Sequence, residues 1–134
     1  MLIDEKNVLP FQPRFQRSML RCEGSPVDYR CSERIKPEKD DRIIIKRYPN
    51  SFLETEPDAY LKSLQIQTLT VCGMMTHMCV DTTVRAAMDH GYQVKLAADA
   101  CARMDLNLNG EVIPADTVHK AFIAALDGVS AAII

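Results

Sequence analysis

A junction between a predicted strand and a predicted helix lies at Val71-Cys72-Gly73-Met74-Met75-Thr76-His77-Met78-Cys79-Val80. Residues 67–73 (QTLTVCG) form a short run that predicts a buried strand. From residue 79 to residue 90 apolar side chains recur at helical spacing, and Gly91 is a typical helix stop. In open parallel α/β sheets, functional sites lie outside the carboxyl ends of the strands, and this loop is placed there.

Strands and helices continue to alternate on both sides of this junction. Strands are predicted at residues 42–46, 93–98 and 129–134, and helices at residues 57–64 and 115–126. This alternation predicts an α/β fold of three layers, α/β/α, with a mostly parallel, Rossmann-like sheet. Residues 1–42 contain Pro10, Pro13, Pro26 and Pro37 and are predicted to be irregular or truncated.

Composition limits the classes of function. A length of 134 residues fits a single domain, and 16 basic against 18 acidic residues are well mixed along the chain. The sequence has no stripe of basic residues that could bind a phosphate backbone, so we expect no nucleic-acid partner. No apolar run is long enough to cross a bilayer, and the N-terminus lacks the apolar core of a signal peptide. We therefore expect a cytoplasmic protein with no membrane partner.

The cysteines argue for reduced thiols. There are five, an odd number, with no CxxC pair, which argues against a disulfide framework or a zinc ribbon: Cys22, Cys31, Cys72, Cys79 and Cys101. His77, Cys79 and His90 do not have the spacing of a zinc site. Cys72 lies inside the predicted strand and is expected to be an inert core thiol.

Cys79 and Lys46 are the candidates for chemistry. The dipole and the N–H groups of a helix start favour a thiolate at Cys79 and can hold an oxyanion. Lys46 ends a predicted strand, and in a parallel sheet its ammonium would reach the same edge and stabilise that thiolate. The ordinary alternatives are a cysteine buried in the core and a lysine solvated at a strand end.

Several segments, in the right order, resemble the isochorismatase-like cysteine hydrolases. They are the GxxTxxCV pattern at residues 73–80, then Gly91-Tyr92, and then Asp99-Ala100-Cys101-Ala102. Ile45-Lys46 followed by Asn50-Ser51-Phe52 resembles the lysine strand of that family and the loop after it. The helix around His119 resembles the family's last helix, so the resemblance covers roughly residues 35–134.

The resemblance implies a mechanism. In the family, a triad of Asp, Lys and Cys hydrolyses small amides, and Cys79 and Lys46 match two of its members. The thiolate would attack the carbonyl, an acyl-enzyme would form, and water would release it. The family also implies a cis peptide bond at Met74–Met75, oxyanion donors at the N–H groups of Met75 and Cys79, no cofactor, a small-molecule substrate and a homo-oligomer.

Three further residues are expected to line the substrate pocket on this resemblance: Thr76, Met78 and Phe52. Thr76 could instead cap the coming helix, which needs no functional explanation. The methionines of the loop are expected to line the pocket or to pack against neighbouring side chains.

The start of the chain departs from the family. There a strand ending in Asp-x-Gln, a long helix and a second strand precede the lysine, but here Lys46 comes too early for them. We therefore expect a domain incomplete at its N-terminus. On the resemblance, the zinc ligands of the nicotinamidases would belong to this absent region, so we expect no metal. Asp4, in Leu2-Ile3-Asp4-Glu5-Lys6-Asn7, echoes the family's opening and is the candidate aspartate; the alternative is an ordinary terminal residue, with residues 11–20 matching the loop before the lysine strand.

These departures leave two other functions open. One is a truncated or catalytically inactive relative that serves as an interaction module. The other is a redox-sensing thiol protein, which would need a resolving cysteine near Cys79, and Cys72 is expected to point into the sheet instead.

Overall fold

The computed structural model of the chain describes residues 2–4, 17–22 and 42–134. The strands are β1 (Leu2–Asp4), β2 (Arg17–Cys22), β3 (Arg42–Lys46), β4 (Thr68–Met74), β5 (Gln93–Ala102), β6 (Leu106–Leu108), β7 (Glu111–Ile113) and β8 (Ala132–Ile133). The helices are α1 (Pro57–Ser63), α2 (Asp81–Asp89) and α3 (Ala115–Leu126), and a π-helical turn (Thr76–Val80) leads directly into α2. Within these described ranges, no helix is long and apolar enough to cross a lipid bilayer.

The main sheet has six strands in the order β3-β2-β1-β4-β5-β8. β1 runs antiparallel to both of its neighbours, β2 and β4, whereas β2–β3, β4–β5 and β5–β8 are parallel pairs. Five of the six strands therefore point the same way, and their carboxyl ends share one edge. The predicted α/β class with a mostly parallel sheet is confirmed.

Residues 1–42 were predicted to be irregular, and the structure corrects this at residues 2–4 and 17–22. These two segments form β1 and β2, which fill the sheet between β3 and β4. A strand as buried as β4 needs hydrogen-bonding partners on both sides, and β1 supplies one of them. A three-residue strand is too short to leave a periodic pattern in the sequence. The rest of that segment lies outside the described residues.

The core packs the central strands against α2 and α3. Leu69 of β4, Leu96 of β5, Val84 of α2 and Leu126 of α3 are fully buried. α2 presents Val84 and Ala87 to the sheet because residues three and four apart lie on one helical face. This packing holds the start of the helical segment against the carboxyl ends of β4 and β5.

Several predicted boundaries moved, and a further element was missed. β5 ends at Ala102 and not at residue 98 as predicted. The helical segment begins at Thr76 as a π-helical turn, not at Cys79 as predicted, and the last strand is limited to Ala132–Ile133. The missed element is the hairpin β6–β7. Its turn is Asn109-Gly110, with φ of 53° and 89°. Asn-Gly is the typical pair for a two-residue hairpin turn that needs positive φ, so the signal was present in the sequence.

Tyr92 joins the start of β5 to α1. Its hydroxyl donates a hydrogen bond to Asp58 Oδ1 at 2.9 Å, and Asp58 also binds the ammonium of Lys62 at 2.8 Å. Burial and the Asp58 carboxylate raise the pKa of Tyr92, so the phenol stays protonated and remains a donor. The ring of Phe52 stacks on that of Tyr92 with centroids 6.0 Å apart.

Tyr92→Phe is expected to lower the free energy of unfolding by about 1 kcal/mol, the usual value of one such hydrogen bond. The ring and its stacking on Phe52 are kept, so the loss reports the hydroxyl. Urea unfolding followed by circular dichroism measures it. Tyr48→Phe, at a side chain 39% exposed, is the control. Equal unfolding midpoints for the two variants would show that the bond to Asp58 adds nothing.

Candidate active site

Cys79 lies where β4 ends and the helical segment begins. The peptide bond between Met74 and Met75 is cis, as the family resemblance implies. The π-helical turn is closed by hydrogen bonds to the carbonyl of Met75, which accepts from the N–H of Met78 at 3.0 Å and from the N–H of Val80 at 3.3 Å. Cys79 is the fourth residue of this turn and is half-buried. Its sulfur is thus carried at the positive end of a continuous helical segment, which favours a thiolate.

Lys46 lies at the same edge of the sheet. β3 points in the direction of β4, so its last residue and the last residue of β4 are both at the carboxyl edge. The side chain is only 3% exposed, and its ammonium donates to the carbonyls of Tyr48 at 2.9 Å and Pro49 at 3.0 Å. Lys46 is therefore a buried, positioned cation and not a solvated strand end.

A hydrogen-bonded link joins the lysine to the cysteine helix. The carbonyl of Pro49, which accepts from Lys46, also accepts from the hydroxyl of Thr83 at 3.3 Å. Thr83 Oγ1 in turn is 2.8 Å from Ser51 Oγ and 3.2 Å from Ser51 N. Thr83 follows Cys79 by four residues, about one helical turn along the same face. The structure thus brings the lysine loop and the Cys79 segment together.

Comparison with known proteins places this fold and these residues in one family. Residues 6–129 match the isochorismatase domain, which is most of the chain. The chain belongs to the isochorismatase family. An isochorismatase from Pseudomonas putida superposes with a TM-score of 0.82 at 32% identity, over 88% of this chain and 65% of that structure.

Curated relatives match over a similar part of the chain. The isochorismatase family protein YddQ of Bacillus subtilis is 44% identical over 101 residues, which cover 75% of this chain and 56% of YddQ. The ureidoacrylate amidohydrolase of Azorhizobium caulinodans is 28% identical over 66% of this chain and 38% of its own length. This isochorismatase-family chain spans about half of the length of YddQ and of YrdC, another isochorismatase family protein of Bacillus subtilis.

The placement of Asp4 corrects its assignment to the triad. β1 is antiparallel to β4, with Leu2 opposite Val71 and Asp4 opposite Leu69. Asp4 therefore lies beside the first half of β4, about 16 Å of strand before Met74, where the chain leaves for Cys79. In a parallel arrangement the end of β1 would have reached the carboxyl edge. The structure brings Lys46 to the Cys79 segment and leaves Asp4 away from it.

Two of the three residues expected to line the substrate pocket, Phe52 and Thr76, are buried in contacts with other side chains or backbone groups. Phe52 is buried and stacks on the ring of His90 with centroids 4.7 Å apart. His90 follows Cys79 by eleven residues, about 16 Å along the helical axis, so Phe52 belongs to the core and not to the pocket. Thr76 is fully buried, and its hydroxyl contacts the carbonyl of Ala102 and the ring of His119. Met78 is 41% exposed and precedes Cys79 in the chain, and its place in a substrate pocket stays a prediction.

Three residues of this site were missed from the sequence: Ser51, Thr83 and His119. Ser51 appeared only as part of the family pattern, and its contact with Thr83 spans 32 residues along the chain. No local spacing indicates a contact of that range. His119 was noted only for its helix, although its Nδ1 lies 3.0 Å from Thr76 Oγ1. These residues hold the site together without being nucleophiles, so residue type alone did not reveal them.

Proposed function

We propose that this isochorismatase-family chain is a cysteine hydrolase that cleaves the carbon–nitrogen bond of a small amide. The observation that carries the proposal is that the buried Lys46 ammonium donates to the carbonyl of Pro49, which also accepts from Thr83, one helical turn after the half-buried Cys79. A cysteine with a positive neighbour and a helix start is the arrangement that activates a thiolate nucleophile. A relative named as a ureidoacrylate amidohydrolase supports an amide as the substrate class.

The chemistry follows from this arrangement. The Cys79 thiolate attacks the amide carbonyl, and the negative charge moves to the carbonyl oxygen, which the N–H groups of Met75 and Cys79 are proposed to hold. The carbon–nitrogen bond then breaks, the amine takes up one proton and leaves, and a thioester remains on Cys79. Water hydrolyses the thioester to a carboxylic acid and regenerates the thiol. An aspartate is expected to handle the proton on the family resemblance, whereas Asp4 pairs with Leu69 in the first half of β4.

That same placement of Asp4 favours a second candidate function. A relative with the thiol and the lysine but without a positioned acid would lack proton transfer at the amine, which typically contributes about 10²- to 10⁴-fold to a rate. Such a protein would keep the fold and act as a non-enzymatic interaction module. The two functions differ in the reactivity expected of Cys79.

Alkylation separates them. Iodoacetamide is added at pH 6.5 to the folded chain and to the urea-unfolded chain, and the labelling rate of Cys79 is followed by peptide mass spectrometry. An activated thiolate is expected to react at least about 10-fold faster in the folded chain, since an ordinary thiol with a pKa near 8.5 is almost wholly protonated at this pH. Ammonia release from a panel of small primary amides and ureido acids then tests turnover.

Cys72 and Cys101 are the internal controls. They are 7% and 4% exposed, and burial raises the pKa of Cys101, so both are expected to label more slowly in the folded chain than in the unfolded one. Slower labelling of Cys79 on folding, as for these two, would reject the enzyme and leave the interaction module.

A further inference from the structure

Thr76 is the point where three elements meet at the active-site edge. It is the first residue of the π-helical turn that carries Cys79, and its side chain is fully buried. Its hydroxyl donates to the carbonyl of Ala102 at 3.2 Å, and its oxygen lies 3.0 Å from Nδ1 of His119. Ala102 ends β5 and pairs with Met74, the last residue of β4. One buried hydroxyl therefore ties the turn to β5 and to α3.

The donors and acceptors around Thr76 indicate which ring nitrogen of His119 carries the hydrogen. A threonine hydroxyl has one hydrogen, and a carbonyl can only accept. If the hydrogen of Thr76 goes to Ala102, the imidazole must donate from Nδ1, and every partner is then satisfied. Burial lowers the pKa of His119, and the positive charge of Arg103 lowers it further, while Asp116 acts in the opposite direction. A neutral ring with its single hydrogen on Nδ1 is the form that fits.

We propose that His119 is a positioning residue for Cys79, acting through the Thr76 hydroxyl. Its Nδ1–H holds Thr76 in place, and Thr76 holds the first residue of the turn three positions before the sulfur. His119 need not touch the substrate in this role. The proposal rests on the proposed function for its consequence, since positioning matters only if Cys79 reacts. The hydrogen bond itself can be measured independently of any reaction.

The structural half of the test is nuclear magnetic resonance of the chain labelled with ¹⁵N in its histidines. Couplings between ring nitrogens and carbon-bound protons identify the protonated nitrogen. We expect Nδ1 of His119 to carry the hydrogen in the wild type, and Thr76→Val to abolish this preference. An Nε2–H tautomer in the wild type would overturn the proposal, whatever the reactivity of Cys79. A wild-type Cys79 that fails to react would instead reject the proposed function and leave this result standing.

The functional half of the test replaces His119 by two residues whose side-chain amides differ in length, asparagine and glutamine. In His119→Asn the side-chain nitrogen can occupy the place of Nδ1 and donate to Thr76, whereas in His119→Gln it reaches the place of Nε2 instead. We expect His119→Gln to slow iodoacetamide labelling of Cys79 in the folded chain about 5- to 10-fold, the effect of one lost hydrogen bond. His119→Asn is expected to stay within about 2-fold of the wild type on the same reasoning.

Further variants test whether the effect of His119 acts through Thr76. Thr76→Val is expected to be at least as slow as His119→Gln, because it removes the bond to Ala102 as well as the bond to His119. Thr76→Ser is expected to keep the wild-type rate. The double variant Thr76→Val/His119→Gln is expected to be no slower than Thr76→Val, because the bond that His119→Gln removes is already lost. Lys120→Ala, at an exposed neighbour on α3, is the matched control. Equal slowing by the Asn and Gln variants, or additive effects in the double variant, would overturn the positioning role. So would faster labelling of Cys79 in His119→Gln.

Discussion

Cys79→Ala is expected to abolish every amide hydrolysis that the wild-type chain performs, with a fall in kcat of at least about three orders of magnitude. The reason is that the covalent route disappears when no sulfur can attack the carbonyl. The fold is expected to persist, because Cys79 is half-buried and its loss opens no large cavity. Ammonia release measures the activity, and urea unfolding confirms the fold.

Cys79→Ser is the matched variant for this result. It keeps the shape of the side chain and replaces the thiol by a hydroxyl, which is far less ionised at neutral pH and is expected to be nearly as inactive as alanine. A serine or alanine variant that retains more than about a tenth of the wild-type kcat would show that the nucleophile is elsewhere.

Lys46→Met is expected to have the second large effect. It keeps an unbranched side chain in a slot that is 3% exposed but removes the ammonium that donates to the carbonyls of Tyr48 and Pro49. Hydrogen bonds from a charged donor contribute about 1.5–3 kcal/mol each, so the loss of both is expected to lower the free energy of unfolding by roughly 3–6 kcal/mol. Because the cation is proposed to stabilise the thiolate of Cys79, kcat is expected to fall about 100-fold, as when one charge-stabilising donor is removed from an active site.

Lys62→Met is the control for that prediction. Lys62 forms a salt bridge with Asp58 on the surface, where its side chain is 58% exposed, and such pairs contribute about 0–1 kcal/mol. Urea unfolding and the rate of ammonia release are measured on both variants. If Lys46→Met unfolds at the same urea concentration as Lys62→Met and keeps its rate, the buried ammonium has no special role.

Much of the α/β half of the fold could be predicted from local patterns. The strand at residues 42–46 and the helix at residues 115–126 have the predicted bounds, because a β-branched run and a long 3.6-residue periodicity are strong local signals. β1 has only three residues and β2 (RSMLRC) contains no β-branched residue, so neither strand carries such a signal. Their existence depends on the open hydrogen-bonding edges of other strands, and that is information about the whole sheet.

Site residues could be predicted where a reactive side chain lies at the end of a predicted strand or the start of a predicted helix. They could not be predicted where their role depends on contacts between residues far apart in the sequence. Cys79 and Lys46 follow from a strand-to-helix loop and a strand end at one sheet edge. Asp4 was misplaced because strand direction cannot be obtained from three residues, and an antiparallel β1 reverses which end faces the site. Phe52 was misplaced because its partner rings, on His90 and Tyr92, are known only from the folded chain.

The bond between Ser51 and Thr83 bears on how this enzyme family could be engineered. The loop after Lys46 is hydrogen-bonded to Thr83 of α2, one helical turn after Cys79. A library that randomises residues 47–51 is therefore expected to change the position of Cys79 as well as that of Lys46. Independent tuning of the two would first require a change at Thr83. A chimera that imports residues 42–89 from a relative as one block would preserve their mutual geometry, whereas a splice between them would break it.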